Sequence, residues 1–176
     1  MTQRHLATIG LAIALAGGTG ASALAQTAAP ANLHFPAGER PLLTLKAKGV
    51  QIYECKANAQ DPAKREWTFV APEAQLVDAR GKPFGKHFAG PTWLANDGSK
   101  VVGEVRARAD ASDAKAIPLL LLAAKSTEGS GTFAKVKSIQ RLDTIGGKPP
   151  ARCSKSELGK TLRVRYSATY VFSVAG

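Results

Sequence analysis

Histidine, cysteine, methionine and acidic side chains are all scarce in this 176-residue chain: three His, two Cys, one Met and 13 Asp+Glu, against 24 Lys+Arg. So few imidazoles and thiols leave little for a zinc or copper site, which usually draws several such ligands. Asp97, Asp110 and Asp113 lack the ordered spacing of a calcium loop. No phosphate-cradling loop or dinucleotide fingerprint is present, because Gly129-Ser130-Gly131 lacks the third glycine and the following helix. No metal and no cofactor is therefore expected. No stretch approaches the twenty apolar residues of a membrane-spanning helix. Internal repeats and low-complexity tracts are missing too, which leaves one domain.

The first residues read as a secretory signal. Arg4 supplies the basic start, residues 6–16 form an apolar run, and Ala23-Leu24-Ala25 offers a small-residue cleavage site before Gln26. No cysteine follows that site, so a lipid anchor is not expected. The expected organisation is a signal peptide at 1–25, an Ala/Pro-rich, loosely held arm at 26–36, and a single β-rich domain at 37–176. Export would place the domain in the periplasm or outside the cell. The formal charge of +11 hardly changes on cleavage and favours polyanionic partners: acidic polysaccharide, anionic lipid headgroups or nucleic acid. The plainer alternative is that the charge only keeps a soluble protein from associating.

Cys55 and Cys153, in an oxidising compartment, are most simply one disulfide. Closing a loop of about a hundred residues would stabilise the fold by about 4–5 kcal/mol in the chain-entropy model. A two-cysteine metal or redox site is the sharper alternative, against which stand the spacing and the histidine supply.

From Pro41 onward the chain is patterned as strands. Leu43, Leu45 and Ala47 alternate with Thr44, Lys46 and Lys48. In residues 50–57 the apolar positions switch face, which predicts a bulge or a strand covered on both sides. Trp67 and Phe69 share a face in the next strand. Asn96-Asp97-Gly98-Ser99 is a hairpin signal. On its second arm Val101, Gly103, Val105, Ala107 and Ala109 are predicted on one face, with Arg106 and Arg108 on the other. Residues 117–124 can be read as strand or helix; Pro118 and the short length favour strand. Val136, Ile139, Leu142 and Ile145, spaced by three, suggest a strand with a bulge. Residues 162–174 alternate over their whole length and predict a long antiparallel strand with one wetted side, Val171 being the exception. Short strands, Gly/Pro turns and little helix point to an all-β, mainly antiparallel β-sandwich or partly open barrel.

The chain resembles the domain-of-unknown-function family DUF3455, small exported proteins of bacteria and fungi. The resemblance runs from about Leu33 to Val174. It rests on residues 48–55 (KGVQIYEC), Trp67 with residues 70–74 (VAPEA), and His87 through Gly90-Pro91-Thr92-Trp93 to Asp97-Gly98-Ser99. It continues in Ser138-Ile139-Gln140-Arg141, Gly146-Gly147 and Cys153. It implies a single exported β-rich domain and carries no established activity.

His87 is the natural catalytic candidate, being the one histidine well inside the domain. A hydrolase would need a hydroxyl and a carboxylate converging on it. Thr92, Asp97 and Ser99 are near in sequence, but no nucleophile-elbow pattern surrounds them. The plainer reading is a histidine bonded to loop backbone beside Trp93. Basic residues two apart (Lys46/Lys48, Arg106/Arg108, Lys135/Lys137, Arg163/Arg165) would project from strand faces as a cationic stripe if their strands share a sheet, or else simply fill a wetted side. Trp93, Arg106, Arg108, Arg163 and Arg165 are the candidate binding residues. The leading expectation is a non-enzymatic binding module for an anionic polymer or glycan. A hydrolase using His87 and a structural extracellular protein are the alternatives.

Overall fold

In the computed structural model, which describes residues 29–176, one antiparallel sheet of eight strands closes on itself as a barrel. The strands are β1 (Glu39–Ala57), β2 (Arg65–Val77), β3 (Pro83–Phe88), β4 (Thr92–Ala95), β5 (Lys100–Ala109), β6 (Leu119–Glu128), β7 (Ser138–Gly146) and β8 (Thr161–Ala175). The predicted signal segment lies outside the described residues. The all-β, antiparallel expectation holds, and the sheet adopts the barrel arrangement, fully closed. Closure comes from β1, which pairs with β2 on one side and along Glu39 to Glu54 with β8 on the other. Neither side of β1 is left as an open edge.

Period-2 alternation now has a single meaning: one set of side chains faces the lumen and the other faces out. Leu45 and Ala47 of β1, Leu120 and Leu122 of β6, and Ala168 and Phe172 of β8 meet inside as the core. In a membrane-crossing barrel the outward face is an apolar band. Here Lys46, Lys48, Arg163 and Arg165 point outward from β1 and β8.

One end of the barrel is plugged. The 129–137 connection carries Phe133 beneath the lumen, its ring 4.7 Å from Phe172 and 5.8 Å from Phe84. The hairpin turn foreseen at Asn96-Asp97-Gly98-Ser99 forms, with Gly98 at φ 85°, and it fastens this plug. The Asp97 carboxylate accepts hydrogen bonds from the backbone N–H and hydroxyl of both Ser99 and Thr132, while Ser99 Oγ accepts from Phe133 N at 3.0 Å. These donors, the Ser99 hydroxyl foremost, hold the Asp97 carboxyl well below the usual carboxylate range.

At the opposite end the predicted disulfide Cys55–Cys153 forms, with Cα atoms 6.0 Å apart, tying the end of β1 to the β7–β8 connection. The wall is low at this end. β2 meets β3 only through Ala74 to Val77, so Arg65 to Glu73 run on with β1 as their only partner. Phe69 and Val70 stand about half exposed on that projecting piece, at 52% and 49%.

Several strand expectations hold with added detail. In residues 117–124 the structure is strand rather than helix from Leu119 on, β6 starting just after Pro118. A bulge does interrupt the β1–β2 ladder beside Ile52, with Val70 of β2 as the extra residue, but β1 itself does not switch face: Gln51, Tyr53 and Cys55 continue the buried side of Leu45 and Ala47. In β7, Asp143 and Thr144 face only Ala168 across the ladder, and Asp143 takes a positive φ of 48°.

Two expectations are corrected. The first concerns β5, where Arg106 is an extra residue: Val105 pairs with Leu122, but Ala107 pairs with Leu121. A one-residue bulge reverses side-chain parity beyond it. Ala107 and Ala109 therefore face out, and Arg108, opposite the lumen-facing Leu120, turns inward. The second concerns the arm, whose described residues, 29–36, are docked rather than loosely held. Its 3-10 turn Ala31–Leu33 inserts Leu33, fully buried, against Leu142 and Val171, with Ala107, Ala109, Leu119 and Leu121 around it. Asn32 Nδ2 donates to Arg108 O at 2.9 Å, and Gln140 Nε2 donates to Leu33 O at 2.7 Å. Val171, the exception in the last strand, is thus an outward residue covered by the arm. The same cover explains why both faces of β6 are apolar.

Leu33→Ala should cost about 2–5 kcal/mol in urea denaturation, the usual penalty for a leucine in a site that cannot collapse. A loss below about 1 kcal/mol would mean that the arm adds no packing.

Candidate functional site

Between the core layer and the low wall the lumen is not filled. A cavity of ≈ 450 Å³ remains at the disulfide end. Its floor is aromatic. His87 of β3 and Trp93 of β4 are directly opposed across their ladder, and their rings stack at 4.4 Å. Tyr170 of β8 meets both edge-on, at 5.1 Å from His87 and 5.3 Å from Trp93. Gly103 makes this possible, since a Cβ there would lie 2.9 Å from Trp93 Cζ3 and 3.1 Å from Leu122 Cδ2. Gln51, Tyr53 and Leu120 form walls, and Phe69, Val70 and the Gly90-Pro91 turn form part of the rim.

Buried polar groups lie behind this apolar lining. Gln51 Nε2, Trp93 Nε1 and the Tyr170 hydroxyl are buried and make no hydrogen bond of good geometry among the described residues, although Tyr170 lies within side-chain reach of Tyr166 and Arg141, and Tyr166 within reach of Gln51. The Tyr166 hydroxyl, deeper in the core, is in the same condition. Such groups cost free energy unless something pairs with them. Tyr53 is satisfied, donating to Gly147 O at 2.7 Å. Arg141 of β7 sits opposite Leu120 and Tyr170, half-buried, and its Nε donates to Pro118 O at 3.0 Å. Burial raises the Tyr170 hydroxyl above its ordinary pKa, with the positive charge of Arg141 opposing. Tyr166 is pushed up chiefly by burial as well.

His87 is a buried neutral imidazole. Nδ1 lies 2.9 Å from Thr92 O, so Nδ1 carries the proton and Nε2 is left as an acceptor. Burial pulls its pKa down to about 3; the bond to Thr92 opposes the shift, and Arg141 adds to it. The neighbours a hydrolase would require are elsewhere. Ser99 and Asp97 bind each other and the plug at the far end of the barrel, and Thr92 Oγ1 donates to Ala89 O at 2.7 Å. His87 therefore has the backbone partner of the plainer reading and no Ser–His–Asp arrangement.

The sequence-predicted binding residues are dispersed. Trp93 is 1% exposed and belongs to the cavity floor. Arg108 joins the cavity by the bulge. Arg106 faces out and pairs with Glu104 at 2.9 Å; Arg163 pairs with Glu73 at 3.0 Å. Arg165 lies on the outer face of β8 opposite Val50. The basic pairs do not form one stripe, because β5 stands across the barrel from β1 and β8. Arg141 and Gln51 were not singled out from the sequence. The signal for Arg141 was parity: it shares a strand face with Ile139, so an inward Ile139 carries Arg141 inward too.

The family model described as protein of unknown function, DUF3455, matches residues 36–173. The chain belongs to the DUF3455 family. Comparison with curated proteins and with solved structures finds no match. The span assigned to DUF3455 takes in all the cavity residues named above, from Gln51 of β1 to Tyr170 of β8. Within it, no group of three or more His, Cys, Asp or Glu side chains is placed to hold a metal among the described residues. No helix among them is long and apolar enough to cross a membrane.

With its folded pKa below the ordinary 6.5, His87 contributes stability that is complete above about pH 6.5 and erodes as pH falls from there toward about 3. Urea midpoints of the native protein should therefore drop between pH 7 and 4.5. His87→Gln should lose that part of the slope, and an unchanged slope would show that His87 is not held neutral.

Proposed function

We propose that this DUF3455 protein is an exported, non-enzymatic binding protein that holds a small, mostly apolar molecule in the mouth of its barrel. The single observation that carries the reading is the ≈ 450 Å³ cavity with an aromatic floor and the inward Arg141 in its lining. Binding sites for small molecules commonly have that size and that mixture of apolar wall with a few convergent polar groups. Small closed barrels offer such a space where their side chains stop short of filling the lumen. The disulfide and the signal-like leader support export. Binding is favoured over turnover because His87 spends its proton on backbone and has no hydroxyl–carboxylate pair beside it.

The neutral dye 1-aminoanthracene tests this directly. The native protein should enhance its fluorescence with one-to-one stoichiometry and micromolar affinity. Val105→Trp, which fills the cavity from a half-buried wall position, should abolish binding while leaving the circular dichroism unchanged. Equal dye binding by both proteins would remove the cavity as the site.

A second reading, an anionic polymer, glycan or lipid headgroup held on the outside, has one observation in its favour. Lys48 and Arg165 flank a shallow groove between β1 and β8 beside Ile145, which is 67% exposed. Retention on heparin should then fall steeply with salt and weaken in Lys48→Ala/Arg165→Ala. Elution near 0.1 M salt by both proteins would discard it.

A further inference from the structure

The cavity of the proposed function contains a charge that no carboxylate among the described residues answers. Arg141 is inward and half-buried, and Arg108 reaches the same space from the rim. The ion pairs among the described residues join Lys56 to Glu54, Lys64 to Asp61, Lys100 to Glu128, Arg106 to Glu104 and Arg163 to Glu73. Neither cavity arginine takes part, and no Asp or Glu lines the space. A guanidinium removed from water without a counter-charge is costly. The Nε bond to Pro118 O fixes the Arg141 guanidinium beside the Tyr170 hydroxyl, with no carboxylate in reach.

His87 is neutral and does not add a second buried cation. A space with positive charge over an apolar floor is complementary to an anion attached to an apolar body. A carboxylate matches the planar fork of an arginine through two parallel hydrogen bonds. One negative charge balances one buried arginine, with Arg108 left at the exposed rim.

We propose, building on the cavity reading, that the ligand is an organic carboxylate whose head is bound by Arg141, assisted by Arg108, while its apolar part lies against His87, Trp93 and Leu122. Arg141 is then the residue that selects the ligand class. Phe69 and Val70, half exposed at the low wall, cover the apolar part once it is seated.

Decanoate and decan-1-ol share a chain and differ in the head, so their competition against 1-aminoanthracene separates the two claims. In the native protein at pH 7.5 decanoate should displace the dye at a concentration about tenfold or more below that needed with decan-1-ol, the scale of one charge-assisted pair. Arg141→Met keeps the apolar stem and removes the charge. It should bring decanoate to parity with decan-1-ol, each displacement being read against the variant's own dye affinity. Equal displacement by the two compounds in the native protein, or a preference retained in Arg141→Met, would overturn the carboxylate assignment and leave the cavity reading standing. Failure of the native protein to bind dye, decanoate or decan-1-ol would overturn both. If Arg141→Met does not fold, the native comparison alone decides.

Discussion

The ladder between β1 and β8 is the constraint on which the rest of the structure depends. An antiparallel meander of eight strands without it would be a sheet with two open edges and two faces seeking cover. Joined along Glu39 to Glu54, the sheet acquires an inside and an outside, and every alternating pattern along the chain is assigned to one or the other. The core, the plug and the cavity are all consequences of that assignment. Phe133 and its neighbours fill one end of the lumen, whereas the other end is walled by strands of unequal length and stays partly empty.

The two ends are stabilised by different chemistry. The plugged end is held by hydrogen bonds converging on one exposed carboxylate, that of Asp97, at the tip of a hairpin. The open end is held covalently by Cys55–Cys153 and by the bond from Tyr53 to Gly147 O. This leaves the wall around the cavity free of a packed lid. The aromatic floor of His87, Trp93 and Tyr170 therefore lies near solvent in sequence of layers while being buried in accessible area.

Much of the fold was legible from residue pattern because long strands repeat the same instruction many times. The alternation in residues 162–174, the Asn-Asp-Gly-Ser turn and the paired cysteines each carry several concordant signals. What was not legible depended on single residues. An extra residue at Val70, Arg106 or Lys125 leaves composition and local propensity unchanged and shows only as a shift in ladder register. The arm was hidden for a different reason: Leu33 is one apolar residue among Ala and Pro, and its burial depends on an outer patch assembled from four distant strands. His87 and Trp93 drew attention as rare residue types. Arg141 and Gln51 did not, since an inward polar residue in a strand is recognised only after the inside is known. The carboxylate of Asp97, noticed as a possible catalytic group, is occupied in holding the plug.

The bulge at Arg106 shows how little backbone is needed to set the electrostatic character of the barrel mouth. Arg108 would face solvent, and Ala107 and Ala109 the lumen, if β5 were one residue shorter there. The apolar outer patch that receives Leu33 would then lose two of its contributors, and the mouth would lose one of its two cations. Anchoring of the arm and the charge of the cavity are thus set together by the count of residues in one strand, and a single-codon deletion would alter both at once without replacing any side chain.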